Sequence, residues 1–281
     1  MASFRYEGQR LAYTTHGDGT KTTLLMPGLL LSQKMQIPLA RQLAKRGNRV
    51  VTFDPLGHGA SDRPRDMWRY SMTAFAKQTV ALLDHLELDE AVVGGTSLGA
   101  NITLEVASFA PQRLRGMLIE MPVLDNAIPA CAAAFAPLLL ALTFGERPMR
   151  ALASAAARVP RERLPLLLEL TLDAVAQDPG PSAALLQGII FGRTAPHRTE
   201  RRTFDMPALV IGHPRDPVHP FSDADMLAHE LPNARLLNAN SVIELRTRPA
   251  RLTAEIAQFV ASCWNAPAAG ANEEPAARAA G

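Results

Sequence analysis

The pentapeptide Gly95-Thr96-Ser97-Leu98-Gly99 places a serine between two glycines at the junction of two different patterns. It overlaps the end of the apolar run EAVVGG, residues 90–95, and the start of the helical pattern LGANITLEVASFA, residues 98–110. In such a tight strand-to-helix turn, the residues two before and two after the serine crowd each other, which favours glycine at both positions. The turn would present the Ser97 hydroxyl as a nucleophile and leave the Leu98 N–H at a helix N-terminus, suited to bind an oxyanion. The alternative is an ordinary glycine-rich turn without catalysis.

Short apolar runs alternate with helical patterns on both sides of this turn. The runs TTLLM, RVVTF, EAVVGG and RGMLIE each have the length and composition of a buried strand. Helical periodicity occupies residues 34–46, 71–86 and 98–110 between them. Residues 3–15 alternate around EGQ and predict a β-hairpin. This order predicts an α/β fold with a mostly parallel sheet that is covered by helices on both faces.

The alternation stops after the fourth of these strands and resumes about eighty residues later, with PALVIG. Residues 125–203 contain only helical segments, which predicts a helical cap inserted into a core formed by residues 1–124 and 204–264. The most apolar window, AIPACAAAFAPLLLALTF, predicts a helix that is buried in this cap or lines a pocket, rather than one that spans a membrane. The Ala/Pro/Gly-rich residues 265–281 predict a disordered tail.

Several motifs follow strands at the positions where loops at the carboxyl edge of such a sheet would lie. They are Pro27-Gly28, Gly57-His58-Gly59-x-Ser61, the Ser97 turn, and RDPVHP after PALVIG. With them, residues 4–262 resemble the α/β-hydrolase superfamily, in particular its cap-bearing esterase, lipase and epoxide-hydrolase-like branch. The resemblance implies an eight-stranded sheet with the cap inserted after the sixth strand. It is specific for the fold and less so for the reaction, since this fold hosts many.

The same resemblance assigns roles to individual residues. Ser97 would be the nucleophile on the turn that the family calls an elbow, with Gly95 and Gly99 flanking it. Leu98 would provide one oxyanion N–H and Leu29 the other. Many family members have His-Gly where this chain has Pro27-Gly28, but the donor is a backbone group. Asp216 matches the family's acid; its alternative is a loop aspartate beside Pro217.

The family's general base is a histidine in the loop after the last strand, and this chain has none there. The stretch NARLLNANSVIELRTRPARL, residues 233–252, contains no histidine, and the expected position falls near Val242. A serine hydroxyl needs such a base at neutral pH. His219, three residues after Asp216, is the predicted stand-in; His213 and His229 are less favoured. Glu244 is predicted to form a salt link with Arg246 or Arg248 on a solvated turn.

The remaining histidines have structural or surface interpretations. His58 is predicted to hold neighbouring turns, and Asp54 to order the same loop. His16, His85 and His197 are predicted to lie at the surface.

Composition narrows the classes of partner. A net charge of +2 with scattered arginines favours neither nucleic acid nor a membrane as partner. Cys131 and Cys263 lie far apart without metal or redox spacing, which predicts a reducing, cytoplasmic location, no metal and no cofactor. The chain is expected to be a monomer or a homodimer. With few aromatic residues and an apolar cap, the predicted substrate is a small or medium hydrophobic ester, thioester or lactone. The alternative is a catalytically silent binding or signalling protein of the same fold.

Overall fold

A computed structural model describes residues 1–265 and shows one eight-stranded sheet at the centre of the molecule. The spatial order is β1-β2-β4-β3-β5-β6-β7-β8, and every neighbouring pair from β4 onward is parallel. Only β2 runs against its neighbours. The strands are β1 Ala2–Tyr6, β2 Gln9–His16, β3 Thr22–Met26, β4 Arg49–Asp54, β5 Ala91–Thr96, β6 Leu114–Glu120, β7 Ala208–Gly212 and β8 Ala234–Asn238. The predicted mostly parallel, eight-stranded α/β-hydrolase sheet is confirmed.

The inner strands are buried along their whole length because helices cover both faces of the sheet. The covering helices are α1 Ile37–Ala44, α2 Met72–His85, α3 Leu98–Phe109, α9 Phe221–Glu230 and α11 Ala250–Asn265. Helices α1 and α11 share one hydrophobic cluster, and α2, α3 and α9 share the cluster on the opposite face. The predicted N-cap of α2 is present, since Ser71 Oγ accepts from the Ala74 N–H at 3.1 Å.

Five helices lie between β6 and β7, where the sequence predicts the cap. Four of them are longer than two turns and the fifth is a single turn. They are α4 Ile128–Phe144, α5 Glu146–Ala157, α6 Leu166–Val175, α7 Pro179–Ile190 and α8 Arg198–Arg201. Helix α4 packs on α7 through Leu142 and Leu186, and Leu29 of the core contacts the same cluster. A one-turn helix α10, Glu244–Thr247, occupies the loop after β8.

Within residues 1–265, no single helix is long and apolar enough to cross a membrane. Helices α4 and α5 reach that length and composition only together, and their axes are bent by 103°. Most of the predicted tail, residues 265–281, lies outside the described residues.

Candidate active site

Ser97 lies on the strand-to-helix turn between β5 and α3, in a backbone conformation with φ 54° and ψ −106°. A non-glycine residue with positive φ is strained, and such strain is held at sites where a side chain must be presented. Gly95 and Gly99 allow the turn, as predicted. A Cβ at Gly95 would lie 2.8 Å from the Gly99 Cα and 2.5 Å from the Met26 carbonyl oxygen. Larger residues at either glycine would therefore push the turn away from β3.

His219 makes the contact that a general base for Ser97 requires. Its Nε2 lies 2.9 Å from Ser97 Oγ, and its Nδ1 lies 3.0 Å from Asp216 Oδ2. Both His219 and Asp216 belong to the loop between β7 and α9, so one loop supplies the carboxylate and the imidazole. The three side chains predicted from the sequence as nucleophile, acid and stand-in base are thus brought together in one hydrogen-bonded chain.

Asp216 is held as a carboxylate by its surroundings. It accepts hydrogen bonds from the backbone N–H groups of Val218 and His219, at 2.8 and 2.9 Å. Burial by itself would raise the pKa of Asp216, but these bonds and the His219 ring outweigh it and hold the pKa below its ordinary value. An ionised Asp216 fixes the Nδ1–H tautomer of His219, which leaves Nε2 free to accept a proton from Ser97.

The predicted oxyanion donors lie on either side of Ser97. Leu98 is the first residue of α3, and the first N–H groups of a helix have no intrahelical partner. The Gly28 turn lies against the serine, since a Cβ at Gly28 would be 3.9 Å from Ser97 Cβ. Leu29, Leu98 and Ser97 line the same cavity.

The loop after β8, which lacks a histidine, instead inserts Arg246 beneath the elbow. Arg246 Nη2 lies 2.6 Å from Glu120 Oε2 and 2.8 Å from Thr96 Oγ1. The Thr96 hydroxyl donates to the same Glu120 carboxylate, and the Glu120 backbone oxygen accepts from the Ser97 N–H at 2.8 Å. His213 completes this buried cluster. Its Nε2 lies 3.2 Å from Glu120 Oε1, and its Nδ1 lies 2.9 Å from the backbone carbonyl oxygen of Ser241. The cluster therefore joins Thr96 and Glu120, which end strands β5 and β6 next to Ser97.

The predicted environment of Glu244 is wrong. Glu244 is buried and accepts two hydrogen bonds from Arg251, each at 3.0 Å, and it also binds the Asn240 N–H. Arg246 is already engaged by Glu120, and Arg251 on α11 reaches Glu244 because the short helix α10 turns the carboxylate inward. The signal in the sequence for the Glu120–Arg246 pair is an acidic residue at the end of a buried strand.

His58, His229 and Asp54 lie outside this chain of contacts. His58 is fully buried with Nδ1 3.1 Å from the Leu56 oxygen, and burial lowers its pKa to about 4. The side chain of His229 is mostly exposed. Asp54 orders the loop around His58 by accepting from the N–H groups of Gln33 and Ala60.

The pKa of Glu120 predicts an acid-sensitive contribution to stability. Burial would raise this pKa, but the charge of Arg246, the His213 ring and the Thr96 hydroxyl lower it from 4.5 to about 2. A depressed carboxyl pKa stabilises the fold above the unfolded value and loses that contribution as the pH falls through the folded value. We therefore expect about 3 kcal/mol of unfolding free energy to disappear between pH 4.5 and 2.

Urea unfolding of the wild type and a Glu120→Gln variant over that range measures this contribution. The expected result is a wild-type free energy that falls more steeply with acid than that of the variant. Parallel curves for the two proteins would contradict the assignment to Glu120.

A cavity of about 190 Å³ opens beside Ser97, between the core and the cap. Its lining is almost entirely apolar and includes no charged side chain; it comprises Leu29, Met72, Ser97, Leu98, Asn101, Val123, Ile128, Cys131, Ala132, Phe135, Ala136, Leu186, Ile189, Ile190 and Thr194. Five of these residues follow helical spacing along one face of α4. Helix α4, which is the most apolar window of the sequence, therefore lines the pocket with one face, as predicted. Most of the opposite face of α4 is exposed. Within residues 1–265, no group of three or more His, Cys, Asp or Glu side chains is arranged to hold a metal ion.

Two buried side chains that the sequence analysis did not single out tie the cap to the site. Asn101 on α3 bonds both backbone groups of Val123, at the cap's entry, and the Thr194 oxygen at its exit. Asp223 on α9 accepts from the N–H groups of Leu124, Asn126 and Ala127 at 2.8 to 3.0 Å. The cap entry is thereby fixed to α3, which begins directly after Ser97, and to α9, which follows the His219 loop.

Comparison with known proteins identifies the class of protein as α/β-hydrolase. The family model of the alpha/beta hydrolase fold matches residues 22–240. The chain belongs to that family.

Individual relatives match at two levels. The enol-lactonase of Burkholderia xenovorans LB400 superposes with a TM-score of 0.76 at 23% identity, covering 92% of this chain and 100% of that one. At this identity, the likeness shows the fold alone. In sequence, "Bifunctional epoxide hydrolase 2" of Sus scrofa is 33% identical over 112 residues, which are 39% of this chain and 20% of that protein. "Serine hydrolase BPHL" of Mus musculus is 33% identical over 120 residues, 42% of this chain and 41% of that protein. The match thus spans less than half of either relative.

Proposed function

We propose that the protein is a serine hydrolase that cleaves a small or medium hydrophobic ester, thioester or lactone. The observation that carries the proposal is the hydrogen-bonded chain from Ser97 Oγ through the His219 ring to the Asp216 carboxylate. The names of the relatives, which include an enol-lactonase and a serine hydrolase, are consistent with acyl chemistry.

In the proposed first half-reaction, Ser97 Oγ attacks the substrate carbonyl carbon while its proton passes to His219 Nε2. The carbonyl oxygen gains negative charge and binds the N–H groups of Leu98 and Leu29. Asp216 stabilises the imidazolium that forms. The tetrahedral intermediate then expels the alkoxide or thiolate, which takes the proton from His219 Nε2, and an acyl-Ser97 ester remains.

In the second half-reaction, a water molecule replaces the leaving group. His219 Nε2 takes one proton from the water as its oxygen attacks the acyl carbon. The same proton returns to Ser97 Oγ when the acyl bond breaks, so that a carboxylic acid leaves and the enzyme is restored. Since one histidine serves as base and then as acid in each half-reaction, His219 is needed in both.

The cavity supports the substrate class. An apolar acyl or alcohol group gains free energy when it leaves water for a lining without charged side chains, whereas a carboxylate there would lack a cationic partner. The alternative of a catalytically silent binding protein rested on the loop without a histidine. The placement of His219 weakens that reason, because another loop presents an imidazole to Ser97.

Reaction with a fluorophosphonate probe tests the mechanism. We expect covalent labelling of Ser97 at neutral and mildly alkaline pH, located by mass spectrometry of the peptide that contains Gly95–Gly99, because the probe reacts with an activated serine. A Ser97→Ala variant should carry no adduct. Failure of the folded wild type to react would rule out the acyl-enzyme mechanism and favour the silent-protein alternative.

A further inference from the structure

The cap presents an unusual concentration of exposed apolar side chains. Ten of the fourteen large apolar side chains that are exposed within residues 1–265 lie between Ile128 and Phe191, so the apolar surface belongs to the cap and not to the core. Such a patch on a protein surface marks a site of interaction.

Helix α4 forms the centre of this surface. Its seventeen residues, IPACAAAFAPLLLALTF, contain no charged side chain. One face lines the cavity and packs on α7, while Ala133, Pro137, Leu140, Ala141 and Phe144 form an exposed stripe on the opposite face. A helix that is apolar on every side is normally buried on every side, which this one is not. We call this exposed stripe the α4 face.

The mouth of the cavity carries further exposed apolar side chains. Ile128 begins α4 and Ile190 ends α7; both line the cavity, and both are about half exposed. Phe191, next to Ile190, is 75% exposed.

Basic residues follow α4 immediately. Residues 145–165 contain five arginines against two glutamates. Arg147, Arg158 and Arg163 are exposed, and none of them forms an ion pair with another residue in the range 1–265. Arg147 follows Phe144, the last residue of α4, by three positions, and a cation next to an exposed apolar segment complements anionic headgroups next to acyl chains.

We propose that the cap docks through the α4 face on an anionic lipid surface, with α4 lying in the interface. The stripe runs along a helix of about 25 Å, which is long enough for interfacial contact. This departs from the expectation of no membrane partner, because the exposure of α4 depends on how the cap packs. The proposal is independent of the chemistry at Ser97.

Co-sedimentation of the whole protein with lipid vesicles tests the proposal. We expect binding to vesicles of phosphatidylglycerol and phosphatidylcholine in equal parts, and weaker binding to phosphatidylcholine alone. The double variant Leu140→Asp/Phe144→Asp should bind the anionic vesicles at least about tenfold more weakly. The reason is that two apolar side chains, which the proposal places among the acyl chains, are replaced by charged ones.

Phe109→Asp is the matched control. Phe109 is also exposed, at 44%, but ends α3 at the edge of the sheet opposite the elbow, so this variant should bind like the wild type. Light scattering of the lipid-free proteins distinguishes the other occupant, a second copy of the chain. No binding to anionic vesicles, equal binding by the double variant, or a wild-type dimer that the double variant converts to a monomer would each overturn the proposal.

Discussion

Replacing His219 with alanine is expected to lower kcat for an uncharged ester by about 10⁵–10⁶-fold, because Ser97 loses its only hydrogen-bonded imidazole within residues 1–265. Loss of the histidine from a serine triad removes both the base for attack and the acid for the leaving group. The variant should retain the fold, since His219 lies in a loop and its side chain is partly exposed. Steady-state kinetics with a medium-chain p-nitrophenyl ester, together with the rate of fluorophosphonate labelling, measure the effect.

His229→Ala is the control for this variant. His229 lies in the following helix with a mostly exposed side chain, so its removal should leave kcat unchanged. A His219→Ala protein that keeps more than about a tenth of the wild-type kcat would show that another group activates Ser97, since mutations of a true triad base cost orders of magnitude more.

Replacing Arg246 with methionine is expected to lower the unfolding free energy by about 3–5 kcal/mol, because the substitution leaves the Glu120 carboxylate buried without its cation. For a chain of this size, that loss corresponds to a fall in Tm on the order of 10 °C. Thermal and urea unfolding followed by circular dichroism would measure both quantities.

Two further variants separate the ion pair from a general effect of losing an arginine. Arg248→Met, at an exposed position two residues away, should change stability by less than about 0.5 kcal/mol. The double variant Glu120→Gln/Arg246→Met should lose less than Arg246→Met alone, because it removes both charges together. If Arg246→Met costs no more than Arg248→Met, the buried pair does not stabilise the sheet edge as inferred.

Local patterns were sufficient for the fold class and for the strand-to-helix turn that carries Ser97. Burial on both faces gives a parallel strand its continuous apolar run, and a helix keeps its own period, so TTLLM, RVVTF and EAVVGG predicted their strands without knowledge of contacts. The signal for the elbow is also local, because the two glycines stand two residues before and two residues after Ser97.

Contacts between distant residues could not be predicted in the same way. The sequence predicts a solvated turn after β8, with a salt link between Glu244 and either Arg246 or Arg248. In the structure, Arg246 reaches Glu120, which is 126 residues away, and Glu244 is buried against Arg251. Sequence spacing limits which charges can meet along one turn, but it does not say which strand ends lie below that turn.

The sequence by itself determined an α/β-hydrolase sheet with Ser97 on its elbow, because strand, turn and helix preferences act over a few residues. It also made His219, three residues from Asp216, the favoured candidate for a base. Only the tertiary structure decided that the His219 ring meets a serine 122 residues away, and that α4 exposes one apolar face while its other face lines the cavity. Those outcomes depend on the order of strands in the sheet and on the packing of the cap, since both bring together side chains that no local preference connects.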